Sequence, residues 1–99
     1  MARVAISIFA RRDVNSILSD LNERAGSPVS KRYAAEFKKM NETLAEFPES
    51  GPLRKGLGRY ARIKVVLPYV VVYDFAGDLV TVLRVLHGQR NITKKLITR

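Results

Sequence analysis

The chain has no cysteine and no tryptophan, one histidine, and 9 acidic side chains against 18 basic ones. Without cysteine there are no disulfides and no thiolate metal sites, a composition that suits the cytoplasm. One histidine, with Asp74 and Asp78 as the only acids of residues 51–99, does not make a metal-ligand set in that half. No metal or cofactor is expected. The longest apolar run near the N-terminus, VAISIFA at residues 4–10, is far too short to span a bilayer, and no cleavable signal follows it. No membrane association is expected.

What is present is an ordinary globular composition, 46% apolar over 99 residues. That length holds one core, so residues 1–99 are expected to form a single domain. The net charge of +9 is unevenly placed. Residues 1–50 carry 8 Lys/Arg against 7 Asp/Glu, a balance of +1, whereas residues 51–99 carry 10 against 2, a balance of +8. A field of this kind attracts nucleic acid, anionic membrane or an acidic protein without distinguishing among them.

Residues 3–10 alternate Val4, Ile6 and Ile8 with smaller or polar side chains, which predicts a strand running to Phe9. Val14, Ile17, Leu18 and Leu21 then follow helical spacing, and Gly26 is the expected stop. A second helix is predicted from Ser27, as cap, with Pro28 in its first turn. Tyr33, Phe37, Met40, Leu44 and Phe47 form its packing seam, and Pro48 ends it. Three extended runs, RYARIKVV, YVVVYDF and LVTVLRVLH, are separated by Leu67 and Pro68 and by residues 76–78. Connections this short predict antiparallel neighbours. The expected fold is α+β, in the order β-α-α-β-β-β: an N-terminal strand, an antiparallel helical hairpin, then a three-stranded antiparallel meander. Residues 88–99 form a basic C-terminal tail.

A sheet with one wet face should alternate strictly. Here Val70, Val71 and Val72 are consecutive, as are Val82 and Leu83, then Val85 and Leu86. Both faces are therefore apolar, and one helical hairpin covers only one. Either a partner covers the second face, or the tail folds back on it through Ile92, Leu96 and Ile97.

His87, between Arg84 and Arg90, is the chain's only histidine, the residue type best suited to acid–base work near neutral pH. Strand parity puts Leu83, Val85 and His87 on one face and Arg84 and Leu86 on the other. Arg84 and His87 then point apart unless a bulge intervenes. The segment GPLRKGLGR lacks phosphate-loop spacing, so Arg54, Lys55 and Arg59 read as a solvated basic loop. Glu23, Glu36, Glu42 and Glu46 on the helices oppose docking into a DNA groove, and Tyr60, Tyr69, Tyr73 and Phe75 are scattered rather than gathered into a stacking platform. Direct nucleic-acid binding is not expected.

Four segments, FARRDVNSIL, FPESGPLRKGL, RIKVVLPYVVVYDF and VLRVLHGQRN, resemble in order the RelE/ParE toxin superfamily, and within it the ParE branch. The resemblance implies a type II toxin-antitoxin toxin that inhibits DNA gyrase by binding, is not itself an enzyme, and is neutralised by a ParD-like antitoxin whose disordered segment folds over it. The RelE branch instead cleaves messenger RNA on the ribosome. On that alternative Arg62, Arg84, His87 and Arg90 would handle phosphate. If residues 88–90 stand where those ribonucleases carry Gly-Lys-Arg, their catalytic Tyr falls near Leu96, which transfers no proton. The implied antitoxin contacts are Val70, Val72, Val82, Arg84, Leu86 and Arg90. The target contacts are expected on the basic C-terminal segment, at His87, Arg90, Lys94 and Lys95.

Overall fold

The computed structural model describes residues 1–97; of the expected tail, residues 98 and 99 lie outside the described residues. The elements are β1 (Arg3–Ile6), α1 (Ile8–Ala25), α2 (Ser27–Glu46), β2 (Ala61–Val66), β3 (Tyr69–Ala76), β4 (Leu79–His87) and a short α3 (Lys94–Ile97). The α+β order is as expected. The pairing of β1, which the sequence leaves open, is with β4 and parallel, giving a four-stranded sheet in the order β1-β4-β3-β2.

β1 is shorter than its alternation predicts. Ser7 takes over as the helix cap: its hydroxyl accepts from the Ala10 N–H at 3.0 Å and donates to the Leu83 carbonyl at 2.8 Å. One side chain thus starts α1 and ties it to β4, and Ile8 and Phe9 become helical. Between the helices Gly26 adopts φ 91°, a backbone conformation that side chains disfavour, while its N–H closes on the Asn22 carbonyl. Gly26, not Ser27, holds the cap position of α2, with no side-chain cap bond, because Ser27 already lies in the first turn with Pro28.

The hairpin covers one face of the sheet. Ala10, Phe37 and Leu44 pack on Val71, Tyr73, Val80, Val82 and Val85. Tyr73 is fully buried, and its phenol is satisfied on both counts, donating to the Pro48 carbonyl at 2.8 Å and accepting from the Gly51 N–H at 3.0 Å. The loop after α2 is therefore pinned to the sheet from beneath. Phe47, expected in the α2 seam, is instead 60% exposed, since the chain has left helical geometry there (φ −129°, ψ 70°).

The second apolar face is sealed by the chain itself. Leu57 and Ala61 pack on Val72, joined by Ile63, Val70 and Leu83 and by Ile92 and Ile97 from the C-terminal segment. Of the two expected covers, the structure uses the tail, together with the residue 51–60 loop, whose Leu57 went unassigned. Leu96 contributes its carbonyl: it accepts from Arg84 Nη1 at 2.8 Å.

β4 contains an irregularity that resets its faces. Val72 pairs with Arg84 but Tyr73 pairs with Val82, so Leu83 is an extra residue. Val80 and Val82 before it, and Val85 after it, all face the helices. Leu83 faces the other way, correcting the expectation that it shares a face with Val85 and His87. Since the bulge lies before Arg84, it leaves the opposition of Arg84 and His87 intact.

Candidate binding site

Beyond the end of β1, the edge of β4 runs open along the start of α1. Asp13 fills this gap. Its carboxylate accepts from Arg84 Nε at 2.7 Å and Nη2 at 2.9 Å, and from the Val85 backbone N–H at 3.0 Å. Both side chains are largely buried, at 12% and 15% exposure. The hydrogen bond to Asp13 raises the Arg84 pKa above its ordinary value against the opposing effect of burial. Arg84 is a structural clamp between α1, β4 and the tail, with each of its three nitrogens hydrogen-bonded.

A groove of about 360 Å³ lies beside this clamp, lined by Asp13, Ser16, Ile17 and Asp20 of α1 and by Tyr69, Val85, Leu86, His87 and Arg90. His87 is exposed and stands edge-on to Tyr69, ring centroids 5.8 Å apart. Tyr69 in turn meets Tyr33 edge-on at 5.7 Å and Phe37 at 5.8 Å, so the aromatic core extends to the groove. His87 Nδ1 accepts from the Gln89 N–H at 3.1 Å, which leaves the ring proton of the neutral form on Nε2. The Arg90 N–H donates to the His87 carbonyl at 3.0 Å, folding the chain into a turn that brings Arg90 to the groove. Burial, then the neighbouring Tyr33 and Asp20, push the Tyr69 phenol above its usual pKa, with Arg24 opposing.

The four phosphate-handling candidates do not assemble. Arg62 pairs with Tyr73, four positions along β3 from Tyr69 and hence ~13 Å along the strand from the level of His87. It is spent on the loop, donating from Nη1 to the Gly51 carbonyl at 2.7 Å and the Glu49 carbonyl at 3.2 Å. Arg84 is spent on Asp13 and Leu96. Only His87 and Arg90 share the groove, with the carboxylates of Asp13 and Asp20 in its opposite wall.

The implied antitoxin contacts are likewise divided. Val82 lies beneath the helical hairpin, whereas Val70 and Val72 lie on the opposite face; Val72, Val82 and Leu86 are buried, Val70 half-buried, and Arg90 exposed. These residues are not one open surface, because parity and the bulge send them to two faces. Lys94 and Lys95 are exposed on α3. Six groove residues were missed from sequence: Asp13, Ser16, Ile17, Asp20, Tyr69 and Val85. A hairpin closed at Ala76 and Leu79 places Tyr69 opposite Leu86; the bulge moves it opposite His87. Among the described residues no His/Asp/Glu group suits a metal ion, and no helix is long and apolar enough to cross a membrane.

Residues 4–92 match the family described as the ParE toxin of the type II toxin-antitoxin system, parDE. The chain belongs to the ParE toxin family. Toxin ParE3 of Caulobacter vibrioides is 28% identical over 96 residues, covering 97% of this chain and 96% of that protein. Toxin RelE2 of the same organism is 34% identical over 91 residues, covering 91% and 99%. A solved structure described as the chromosomal ParDE TA system from P. aeruginosa superposes with a TM-score of 0.73 at 15% identity, covering 88% of this chain and 96% of that one. It shares the fold: a strand, two helices and three further strands in one sheet. As a ParE-family protein, this chain is a toxin of a type II toxin-antitoxin system.

Proposed function

We propose that this toxin acts by binding rather than hydrolysis, in the cytoplasm, with DNA gyrase as its target and a ParD-like antitoxin as its antidote. The observation that carries this reading is the commitment of Arg84. An arginine held by a largely buried carboxylate and a backbone carbonyl stabilises the fold, and it does not line the groove that His87 and Arg90 share. His87 without it, with its Nδ1 on a backbone amide, lacks the base–orienter arrangement of acid–base catalysis. His87, Arg90, Lys94 and Lys95 make the basic surface that would meet the target, and Val70 and Arg90 keep exposed surface for an antitoxin segment, with buried Leu86 paired to Val70 on the next strand. Val72 and Arg84 would join them only if the tail moved. Val82, under the hairpin, is left out.

Ribosome-dependent ribonuclease action is the second reading. It is favoured by the likeness to Toxin RelE2 and by the one groove where His87, Arg90 and Tyr69 do meet. Purified toxin titrated into a gyrase supercoiling reaction and, in parallel, an in vitro translation reaction separates the two. Halted supercoiling with intact translation is the expected result. Cut messenger RNA with gyrase unaffected would establish the ribonuclease instead.

A further inference from the structure

β2 is the outer strand of the sheet on the side away from β1, and the chain covers only half of it. Leu53 bridges Arg62 as a one-residue extra strand: the Arg54 N–H donates to the Ala61 carbonyl at 2.8 Å, and the Ile63 N–H to the Pro52 carbonyl at 3.2 Å. By strand alternation Val65 presents its N–H and C=O on this same outer side. Beyond Ile63 the row has no occupant: neither Val65 on that side nor the Leu67 N–H has a backbone partner among the described residues.

Open edges are ordinarily guarded by charge, proline or a bulge. This one has Lys64 and Pro68 beside it, yet carries Val65 at 50% and Leu67 at 79% exposure. Beside it is a depression of about 490 Å³ between α2 and β2, lined by Tyr33, Glu36, Met40, Val65, Val66 and Leu67. Its rim at Leu67 is fixed, since the Tyr33 phenol donates to the Leu67 carbonyl at 3.2 Å.

We propose that a short extended segment of the antitoxin adds to the sheet here, pairing with residues 65–67 in continuation of residues 52–54. This rests on the antitoxin reading above. A residue opposite Val65 would exchange two hydrogen bonds with it and lie on its face of the sheet, while the residues before and after it would turn to the α2 side. One of these fits the depression as an apolar anchor beside Met40 and Val66. The other faces Lys64, where an acidic side chain makes a cross-strand pair. The free row is bounded by residues 52–54 at one end and the Leu67-Pro68 turn at the other, so the paired stretch is about three residues. That bound disfavours a second copy of this chain. A two-fold β2–β2 pairing needs free edge on both sides of its axis, and residues 51–54 of each copy would run into the partner's turn.

The test uses the full chain and the full-length ParD-type protein encoded beside it. Val65→Pro removes the outward N–H without touching a bond to β3; Val65→Thr keeps the N–H and changes only the side chain. Affinity falling at least tenfold in Val65→Pro and by less than threefold in Val65→Thr supports the proposal. Amide exchange of the wild-type chain, which stands even if Val65→Pro fails to fold, should show Val65 and Leu67 fast when free and protected in the complex. A saturated complex with both amides still fast, or a folded Val65→Pro binding like wild type, overturns strand addition while leaving the antitoxin reading intact. Protection that grows with concentration of the free toxin assigns the edge to a second copy and overturns the named occupant. No binding of the wild-type chain removes the antitoxin reading and this proposal together.

Discussion

Arg84 and Asp13, 71 residues apart in sequence, are joined by two parallel hydrogen bonds, and the same carboxylate holds the Val85 N–H. Asp13 completes an open sheet edge and neutralises a largely buried cation together. Asp13→Ala leaves the Val85 N–H without a partner and Arg84 with the Leu96 carbonyl alone. A destabilisation of about 1–3 kcal/mol is expected from stranding that amide and removing two charge-assisted hydrogen bonds. Arg84→Ala should be comparably harmful, and the double variant less so than the sum. Thermal or urea denaturation of the three variants measures this. Independent, additive losses of under 1 kcal/mol would mark the pair as an ordinary surface bridge.

The loop after α2 depends on a close approach. A Cβ on Gly51 would lie 2.2 Å from the Ile63 carbonyl oxygen and 2.8 Å from the Tyr73 phenol. Neither is a flexible chain end, so Gly51→Ala must displace the loop. Tyr73→Phe removes both phenol bonds and strands the Gly51 N–H and Pro48 carbonyl, with an expected loss of about 1–3 kcal/mol. If the loop is held as described, Gly51→Ala combined with Tyr73→Phe costs less than the two separately, because one displacement suffices. Strict additivity in urea melts would contradict this.

Much of the architecture was legible because each element has a local cause. Helical spacing of Val14, Ile17 and Leu18, the stop at Gly26 and the two short hairpin connections are all properties of neighbouring residues. What escaped depends on distant partners. Ser7 reads as the middle of an alternating strand until the Leu83 carbonyl is beside it. Asp13 reads as a helix-surface acid until β4 passes with an unpaired amide. Consecutive apolar residues in β3 and β4 announce two buried faces but not their covers, and Leu57 in a basic, glycine-rich loop carries no periodicity that would assign it to one. The single extra residue at Leu83 had the widest effect on the site, because every side chain after it changes face.

Asp74 offers a pH test with a defined sign. It sits in β3 opposite Thr81 and Ala61, and burial raises its carboxyl pKa above the ordinary value. No cation pairs with it among the described residues. A raised pKa means that the folded state binds the proton more tightly than the unfolded chain does. Its contribution is most favourable below the unfolded value of about 3.9 and is lost as pH rises through the folded value. Asp74→Asn removes that loss. Its melting temperature should gain on wild type as pH is raised from 3 to 7. A gap that is constant across that range, or that narrows, would show that the carboxylate is not penalised in the fold.

His87 separates binding from catalysis most sharply. Proton transfer by a positioned side chain is worth about 10²–10⁴ in rate, and asparagine cannot supply it. The amide oxygen of Asn can still accept a bond from the Gln89 N–H, as His87 Nδ1 does, so the local turn is retained. For a toxin that binds its target, His87→Asn removes one edge of contact, and growth arrest on induction should persist at a moderately higher toxin level. Arg90→Ala should weaken arrest further, because Arg90 supplies the full charge in a groove otherwise bordered by Asp13 and Asp20. Salt titration of target binding supports this when the Arg90→Ala loss shrinks at high ionic strength while the His87→Asn loss does not. For a ribonuclease the ranking inverts: His87→Asn abolishes arrest outright, at any induction level, while the protein remains folded and antitoxin-bound. Induction of the two variants, each scored for growth, messenger RNA integrity and antitoxin co-purification, decides between these orders.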